Sequence, residues 1–324
     1  MSNDVAAAKI DAGHAAHDDD VCANCGIAES DEIKLKSCDG GCDLVKYCSD
    51  GCRELHRPEH AGKCRKRLAE LRDDKLFRPT EMSHLGECPI CCLPLPHNGN
   101  EGMFIFWTCC SQKICNGCNY TNKKREIEQG LDVHRCLFCR EPSVCRPKSL
   151  KKMMKRVKAN DPAAIGEMGT IRYNEGDGDT GIEYWRRAAE LGDLTARFQL
   201  GSAYVEGKYI KKDMKKAKYH FEIAAIGGNP KARHNLGCFE EDKGNFDRAV
   251  KHLMIAINLG YEDSMTLLRT FYKKGRVTKE KLLAAILAYQ AAVDATKSVE
   301  RDAADAANAR EIARAKELGI DLDA

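Results

Sequence analysis

The sequence has no long apolar run and no strong excess of charge of one sign. Its second half contains a single cysteine. No apolar stretch approaches the roughly 20 residues that cross a bilayer, so no membrane span is predicted. The formal net charge is only +3 over 324 residues, which argues against nucleic acid as the general partner. Residues 1–20 lack the basic-then-apolar layout of a secretory signal. We therefore predict a flexible tail on a protein of the cytoplasm or nucleus.

Cysteine is instead concentrated in one part of the chain. Seventeen of the eighteen cysteines lie between Cys22 and Cys145, mostly in closely spaced pairs, and only Cys238 lies beyond them. In a reducing compartment such clusters bind metal more often than they form disulfides. Zinc takes four thiolate or imidazole ligands in a tetrahedron, and a Cys-x-x-Cys pair on a tight turn supplies two of them. The pattern therefore predicts zinc, with up to four ions.

The first cluster lies within residues 21–64. It offers eight ligands in the order Cys22, Cys25, Cys38, Cys42, Cys48, Cys52, His60 and Cys64. A segment of this size cannot bury enough apolar surface to fold alone, so bound metal has to supply the missing stability. His56 is a competing imidazole. We prefer His60 because it forms a compact His-x-x-x-Cys pair with Cys64, and we expect His56 to be a solvated helix residue.

The segments 47–52, 56–60 and 63–64 resemble a MYND zinc finger in the order and spacing of their ligands. The resemblance implies two interleaved sites, one formed by Cys22, Cys25, Cys48 and Cys52 and the other by Cys38, Cys42, His60 and Cys64. The family usually has Gln and Trp on its peptide-binding surface where this chain has Arg53 and Arg57. The resemblance therefore extends to the metal ligands but not to the peptide preference.

A helical linker, residues 65–84, is predicted to lead into a second group of thiols within residues 85–145. Its opening Cys-Pro-Ile-Cys, its central knuckle and its closing Cys-Leu-Phe-Cys-Arg segment resemble an all-cysteine RING finger. The resemblance implies one site formed by Cys88, Cys91, Cys115 and Cys118 and another formed by Cys109, Cys110, Cys136 and Cys139. Gln112 stands where most RING fingers carry a His ligand. For the second of these sites, Cys92, His97 and His134 stay open as alternative ligands.

The RING resemblance also implies two partner-binding residues. In that family an apolar residue between the first two ligands docks a ubiquitin-conjugating enzyme, and an Arg after the last ligand holds the charged ubiquitin. Ile90 and Arg140 occupy the matching places, whereas the usual docking Trp is lacking and Leu137 replaces a customary Pro. No catalytic residue is expected, because such a ligase works by holding thioester and lysine together.

The second half of the chain carries a repeat with spacings of 32 and 36 residues. Its motif combines small residues with a bulky pair and starts at Gly181, Ala217, Ala249 and Ala285. We predict stacked helical hairpins over residues 159–293, resembling Sel-one-like repeats, which are relatives of tetratricopeptide repeats. Left-handed turns just past helix ends are expected at Gly192, Gly228 and Gly260.

The repeat pattern also predicts structural roles for individual residues. Trp185 and Phe221 fall on packing positions, and His220 and His252 are expected to be structural. The fourth copy, with Arg269 in place of Gly, is expected to act as the C-terminal cap. Residues 146–158 are predicted to form a basic amphipathic helix that caps the other end, and residues 294–324 to add exposed helices.

The predicted fold class is a multidomain protein with two small zinc-stabilised modules followed by an all-α helical-repeat solenoid. The leading functional hypothesis is an adaptor that binds other proteins or peptide segments without catalysis. The alternative is a RING-type ubiquitin-protein ligase in which the MYND finger and the repeats recruit the substrate. Methyltransferases with MYND fingers are excluded, because the second thiol group and the repeats leave no room for that catalytic fold.

Overall fold

The structure of the protein is a computed structural model that describes residues 21–25, 27–97, 104–131, 134–143 and 145–317. It divides into two compact units, the first ending at Leu76 and the second beginning at Phe77. The predicted tail, residues 1–20, lies outside the described residues. Among the helices within these ranges, none has the length and apolar character that a membrane span requires.

The first unit is built from a short hairpin and a long helix. Strands β1 (Lys36–Ser37) and β2 (Lys46–Tyr47) pair antiparallel. Helix α1 (Asp50–Phe77) extends from the zinc-finger segment into the predicted linker, and residues 78–84 continue without a helix. The buried apolar side chains described in this unit are Cys22, Cys42, Tyr47 and Leu76. So small a core cannot offset the entropy of ordering the chain without another source of stability.

The second unit begins with the segment that we call the second cysteine module, residues 85–145. Its strands β3 (Phe104–Trp107) and β4 (Gln112–Cys115) pair antiparallel and lead directly into helix α2 (Asn116–Glu128). The Cys115 side chain accepts a hydrogen bond from the Cys118 backbone N–H and thus caps this helix. The buried core consists of Leu95 and Ile114 together with three thiols. This module too has little apolar surface to bury.

Helix α3 (Arg146–Lys158) follows, then four helical hairpins and a last helix α12 (Val299–Glu317). The hairpins are α4 (Pro162–Asn174) with α5 (Gly178–Glu190), α6 (Leu194–Glu206) with α7 (Met214–Ile226), α8 (Pro230–Asp242) with α9 (Phe246–Asn258), and α10 (Glu262–Lys273) with α11 (Lys279–Asp294). Met153 and Val157 of α3 are buried in the core of the first hairpin. The amphipathic helix thus packs its apolar face on the first hairpin, as a capping helix would.

Small residues let the paired helices approach each other closely. A Cβ atom on Gly201 of α6 would lie only 2.5 Å from the Phe221 ring of α7. Phe221 is completely buried and contacts the rings of Phe198 and Phe239 at centroid distances of 5.8 and 6.0 Å. Trp185 is buried at the equivalent place of the preceding hairpin. The assignment of both aromatic residues to the core is confirmed.

The hairpins are joined by turns of one type. The predicted turn glycines have φ angles of +94°, +87° and +80° at Gly192, Gly228 and Gly260. Directly after the first two, the Asp193 and Asn229 side chains accept hydrogen bonds from the backbone of the next helix, which stabilises its first turn. Tyr261 holds the third such place and makes no side-chain cap. The fourth copy therefore lacks this helix cap as well as the glycine replaced by Arg269.

The two histidines of the repeats are packed side chains. His252 is buried beside the Phe77 ring, at a centroid distance of 4.7 Å, and burial lowers its pKa to about 3. His220 stacks on Tyr204, and burial lowers its pKa to about 4. Both imidazoles are neutral at physiological pH, as a structural role requires.

Helix α12 differs from the expected exposed helix. Most of its side chains are exposed, but Arg301 and Ala304 are buried, and the helix packs against α2 of the second cysteine module. The prediction of an exposed tail is therefore wrong along this one face. Its alternation of alanine and charge contains no feature that distinguishes a docked helix from a solvated one.

Candidate metal centres

The Cys22 cluster consists of Cys22, Cys25, Cys48 and Cys52. Their four Sγ atoms lie within 4.8 Å of one another, and the Cys25–Cys48 and Cys48–Cys52 distances are 3.5 and 3.6 Å. Sulfurs bound at about 2.3 Å from a tetrahedral zinc are about 3.8 Å apart. The spacing of these thiols therefore fits one zinc ion.

The Cys42 cluster consists of Cys38, Cys42, His60 and Cys64. The loop between β1 and β2 supplies the first two, and α1 supplies the others from adjacent turns on one face. The Cys42 Sγ atom lies 3.2 Å from His60 Nε2, and the Cys38 and Cys64 sulfurs are 3.7 Å apart. Cys42 and His60 are buried, which places this cluster in the interior of the unit.

His56 lies outside both clusters of the first unit. Its Nδ1 atom is 3.1 Å from the Tyr47 hydroxyl, and its ring stacks on His60 at a centroid distance of 5.8 Å. The structure thus brings His60, and not His56, to the thiols. The expectation that His56 is solvated is wrong, because one turn before His60 on α1 it faces the buried Tyr47 of β2.

The Cys88 cluster consists of Cys88, Cys91, Cys115 and Cys118. The first two lie on the turn that precedes β3, and the other two lie where β4 meets α2. The Cys88–Cys118 and Cys91–Cys115 sulfur distances are 3.9 and 3.8 Å, close to the separation expected around zinc. The Cys115 backbone N–H also donates to Cys88 Sγ at 3.5 Å.

The Cys109 cluster consists of Cys109, Cys110, Cys136 and Cys139. Their sulfurs also lie within 4.8 Å of one another, with Cys110–Cys136 at 3.6 Å and Cys139–Cys109 at 3.3 Å. The adjacent pair reaches one point because it lies in the tight turn between β3 and β4, which Ser111 completes with a φ of +57°.

The three alternative ligands predicted for the Cys109 cluster have other partners or lie exposed. His134 Nδ1 lies 3.3 Å from Glu126 Oε2, His97 is paired with the Ser83 hydroxyl, and Cys92 is an exposed thiol. The structure therefore groups Cys109 and Cys110 with the closing pair and leaves these three residues outside the group.

Crowding gives the thiols of each cluster different acidities. A hydrogen bond with Cys115 lowers the pKa of Cys88 to about 4, whereas burial raises the pKa of Cys118 to about 12. Hydrogen bonding with Cys25 likewise raises the pKa of Cys48 to about 12. Several thiolates cannot share so small a space without a cation, because like charges repel. A divalent ion removes that conflict, so the four clusters are suited to binding zinc at up to four sites.

Ile90 and Arg140, the predicted partner-binding residues, line one groove on the second cysteine module. Leu137 and Arg125 line the same groove, and α12 contributes Glu300 to its edge. Ile90 is 40% exposed. The structure therefore places an apolar and a cationic side chain on the walls of the same groove.

Sequence reasoning missed Arg301. Its guanidinium lies 3.5 Å from Cys91 Sγ, across a separation of 210 residues. Burial alone would lower the pKa of Arg301, but hydrogen bonding with Cys115 and Cys91 outweighs it, and the pKa is raised. No local motif indicates such a contact, because only the folded chain brings the C-terminal helix to the thiols.

Clusters of zinc ligands in small modules, followed by stacked hairpins, define a zinc-binding helical-repeat protein. Residues 22–64 match the family model of the MYND finger, and residues 164–193 and 194–229 match that of the Sel1 repeat. The fold is thus a MYND zinc finger followed by a helical Sel1-repeat solenoid, and the Cys88 and Cys109 clusters suggest additional zinc modules.

Solved structures similar to this chain include two repeat proteins. A Sel1 repeat protein from Oxalobacter formigenes has 23% identity and a TM-score of 0.41, over 53% of this chain and 70% of that chain. A protective antigen of uropathogenic Escherichia coli strains, described as displaying an SLR fold, has 25% identity and a TM-score of 0.37, over 47% and 34% of the two chains. The comparison with curated proteins finds no match.

Proposed function

We propose that this protein is a zinc-dependent adaptor that binds peptide segments of other proteins and brings those proteins together. The observation that carries the proposal is the presence in one chain of a MYND finger and Sel1 repeats, a combination that fits a protein-interaction scaffold. The eighteen cysteines form no disulfides in the structure, which fits a protein of the cytoplasm or nucleus, where disulfides are rare.

The adaptor proposal is tested by asking whether peptide binding depends on zinc. Peptides selected from a displayed library on the zinc-loaded protein are expected to lose binding to the finger after Cys42→Ser, because that substitution removes a buried ligand. Cys92→Ser removes an exposed thiol outside the four clusters and should leave binding unchanged. The adaptor proposal fails if the library yields no binders, or if every binder tolerates loss of zinc.

A second candidate function is RING-type ubiquitin transfer, for which the groove around Ile90 is the supporting observation. Ile90 and Arg140 line one groove, and the RING resemblance assigns these two positions to the ubiquitin-conjugating enzyme and to the charged ubiquitin. In such a ligase Arg140 would restrict the bound ubiquitin to reactive conformations, a proximity effect. The MYND finger and the repeats would then select the substrate.

Arg140→Ala is expected to slow ubiquitin chain formation about tenfold, since loss of about 1.4 kcal/mol of transition-state stabilisation has that effect. The assay combines the purified protein with a panel of ubiquitin-conjugating enzymes. Arg135→Ala is the matched control, because Arg135 is also exposed and lines a different pocket. If no enzyme of the panel yields chains, or if both variants behave alike, the ligase candidate is rejected and the adaptor proposal is unaffected.

A further inference from the structure

Arg301 of α12 is bound to the loop that carries the first two thiols of the Cys88 cluster. Its Nη1 atom donates to the carbonyl oxygens of Pro94 and Thr296 at 2.8 and 2.7 Å. Its Nη2 atom donates to Cys91 Sγ at 3.5 Å and to the Leu93 carbonyl oxygen at 3.3 Å. Only 7% of the residue is exposed. A buried arginine with four acceptors is a fixed part of its surroundings and not a mobile surface charge.

The backbone of α2 is shaped to receive the start of α12. Gly117 lies between the two ligands Cys115 and Cys118, and a Cβ atom there would lie 2.6 Å from the Arg301 backbone nitrogen. Any side chain at this position would push the helices apart. The Ser298 hydroxyl accepts a hydrogen bond from the Arg301 N–H at 3.2 Å, so the first turn of α12 is fixed where it meets the thiols.

The positive charge of Arg301 explains how its contact with Cys91 would stabilise a bound zinc ion. A zinc ion with four thiolates carries a net charge of −2, and a partly buried anion of that kind is stabilised by a neighbouring cation. A hydrogen bond to a ligating sulfur also withdraws electron density from it, which makes the sulfur a weaker nucleophile and a poorer proton acceptor. Arg301 supplies both the positive charge and the hydrogen bond.

We propose that α12 completes the Cys88 metal site, with Arg301 as a positioning residue that slows the loss of zinc from this one cluster. When the helix is docked, the charge of the site is offset and Cys91 is shielded from electrophiles and from protons. When the helix is displaced, this zinc is the first to leave. The C-terminal helix thereby controls the integrity of a metal site whose ligand Cys91 lies 210 residues from Arg301 in sequence. The proposal rests on zinc binding and on neither of the proposed functions.

The test compares Arg301→Met, Arg301→Lys and Arg310→Met in the full zinc-loaded chain. Zinc release is followed with 4-(2-pyridylazo)resorcinol, and iodoacetamide labelling is resolved by mass spectrometry for peptides that contain Cys91 or Cys139. Arg301→Met should weaken zinc binding at the Cys88 cluster by roughly 10- to 100-fold, the usual effect of losing an outer partner of a metal ligand. The Cys139 peptide should keep its wild-type protection. Arg310 is exposed on the same helix, and its variant should match wild type.

Two further results separate an electrostatic role from a packing role. Arg301→Lys keeps the charge and should retain zinc better than Arg301→Met. Gly117→Ala leaves Arg301 intact but displaces the helix, and should release the same zinc. The proposal is overturned if iodoacetamide labels Cys91 of Arg301→Met at the wild-type rate, or if the methionine and lysine variants release zinc equally fast. It is also overturned if the Cys88 and Cys109 clusters lose zinc together.

Discussion

Chelation of zinc is expected to unfold the first unit while helices α4 to α11 stay folded. The apolar interior described in that unit is limited to four side chains, two of them candidate zinc ligands. Structural zinc contributes on the order of 10 kcal/mol or more per site to folding, which exceeds anything so small a core supplies. The solenoid has its own apolar cores, centred on residues such as Ile165 and Leu253, and needs no metal.

Hydrogen exchange measured by mass spectrometry distinguishes the two regions in a single experiment. After chelation, peptides from residues 36–64 should exchange at the rate of an unfolded chain, and peptides from residues 162–294 should keep their protection. Cys42→Ser should reproduce the loss in the first unit without a chelator. Full protection of the first unit in zinc-free protein would show that its fold does not depend on the metal.

Phe221→Ala is expected to destabilise the solenoid by about 3–5 kcal/mol, the usual cost of removing a fully buried aromatic ring. The loss is large because the ring fills the space that Gly201 leaves open, and helix backbones cannot close that cavity without moving a whole hairpin. Urea unfolding of the zinc-saturated protein, followed by circular dichroism, measures the change, since the repeats contain most of the helical residues.

Tyr219 provides the matched control for this substitution. It lies two positions before Phe221 on the same helix, and 57% of it is exposed. Tyr219→Ala should change the unfolding free energy by no more than about 0.5 kcal/mol, as is usual at the surface. Equal effects of the two variants would contradict the assignment of Phe221 to the core between hairpins.

The metal clusters could be grouped from the sequence because zinc chemistry is local. Pairs such as Cys22 with Cys25 lie on tight turns, and the order of the pairs, read with the MYND and RING resemblances, indicated which of them share a site. The same reasoning did not place His56, since its partner is the Tyr47 hydroxyl and such a contact depends on how the hairpin lies against α1.

The repeats could also be predicted from the sequence, because their packing recurs at a fixed period. The pair Gly169 and Trp185 in one copy corresponds to the pair Gly201 and Phe221 in the next, so one pattern predicted both the helices and the core. The docking of α12 has no such signal. In the sequence, Arg301 looks like any other charged residue of an alanine-rich helix, and Gly117 looks like an ordinary turn glycine. In the structure, the missing side chain of Gly117 leaves room for the backbone of Arg301. Contacts between distant segments that occur only once leave no period to detect.

Native mass spectrometry of the zinc-loaded chain tests the central claim most directly. Wild type should retain four zinc ions, one for each cluster. The double variant Cys88→Ser with Cys91→Ser should retain three, and Cys92→Ser, which changes a neighbouring thiol outside the clusters, should retain four. A chain that retains no zinc, or a count that the double variant leaves unchanged, would contradict the account.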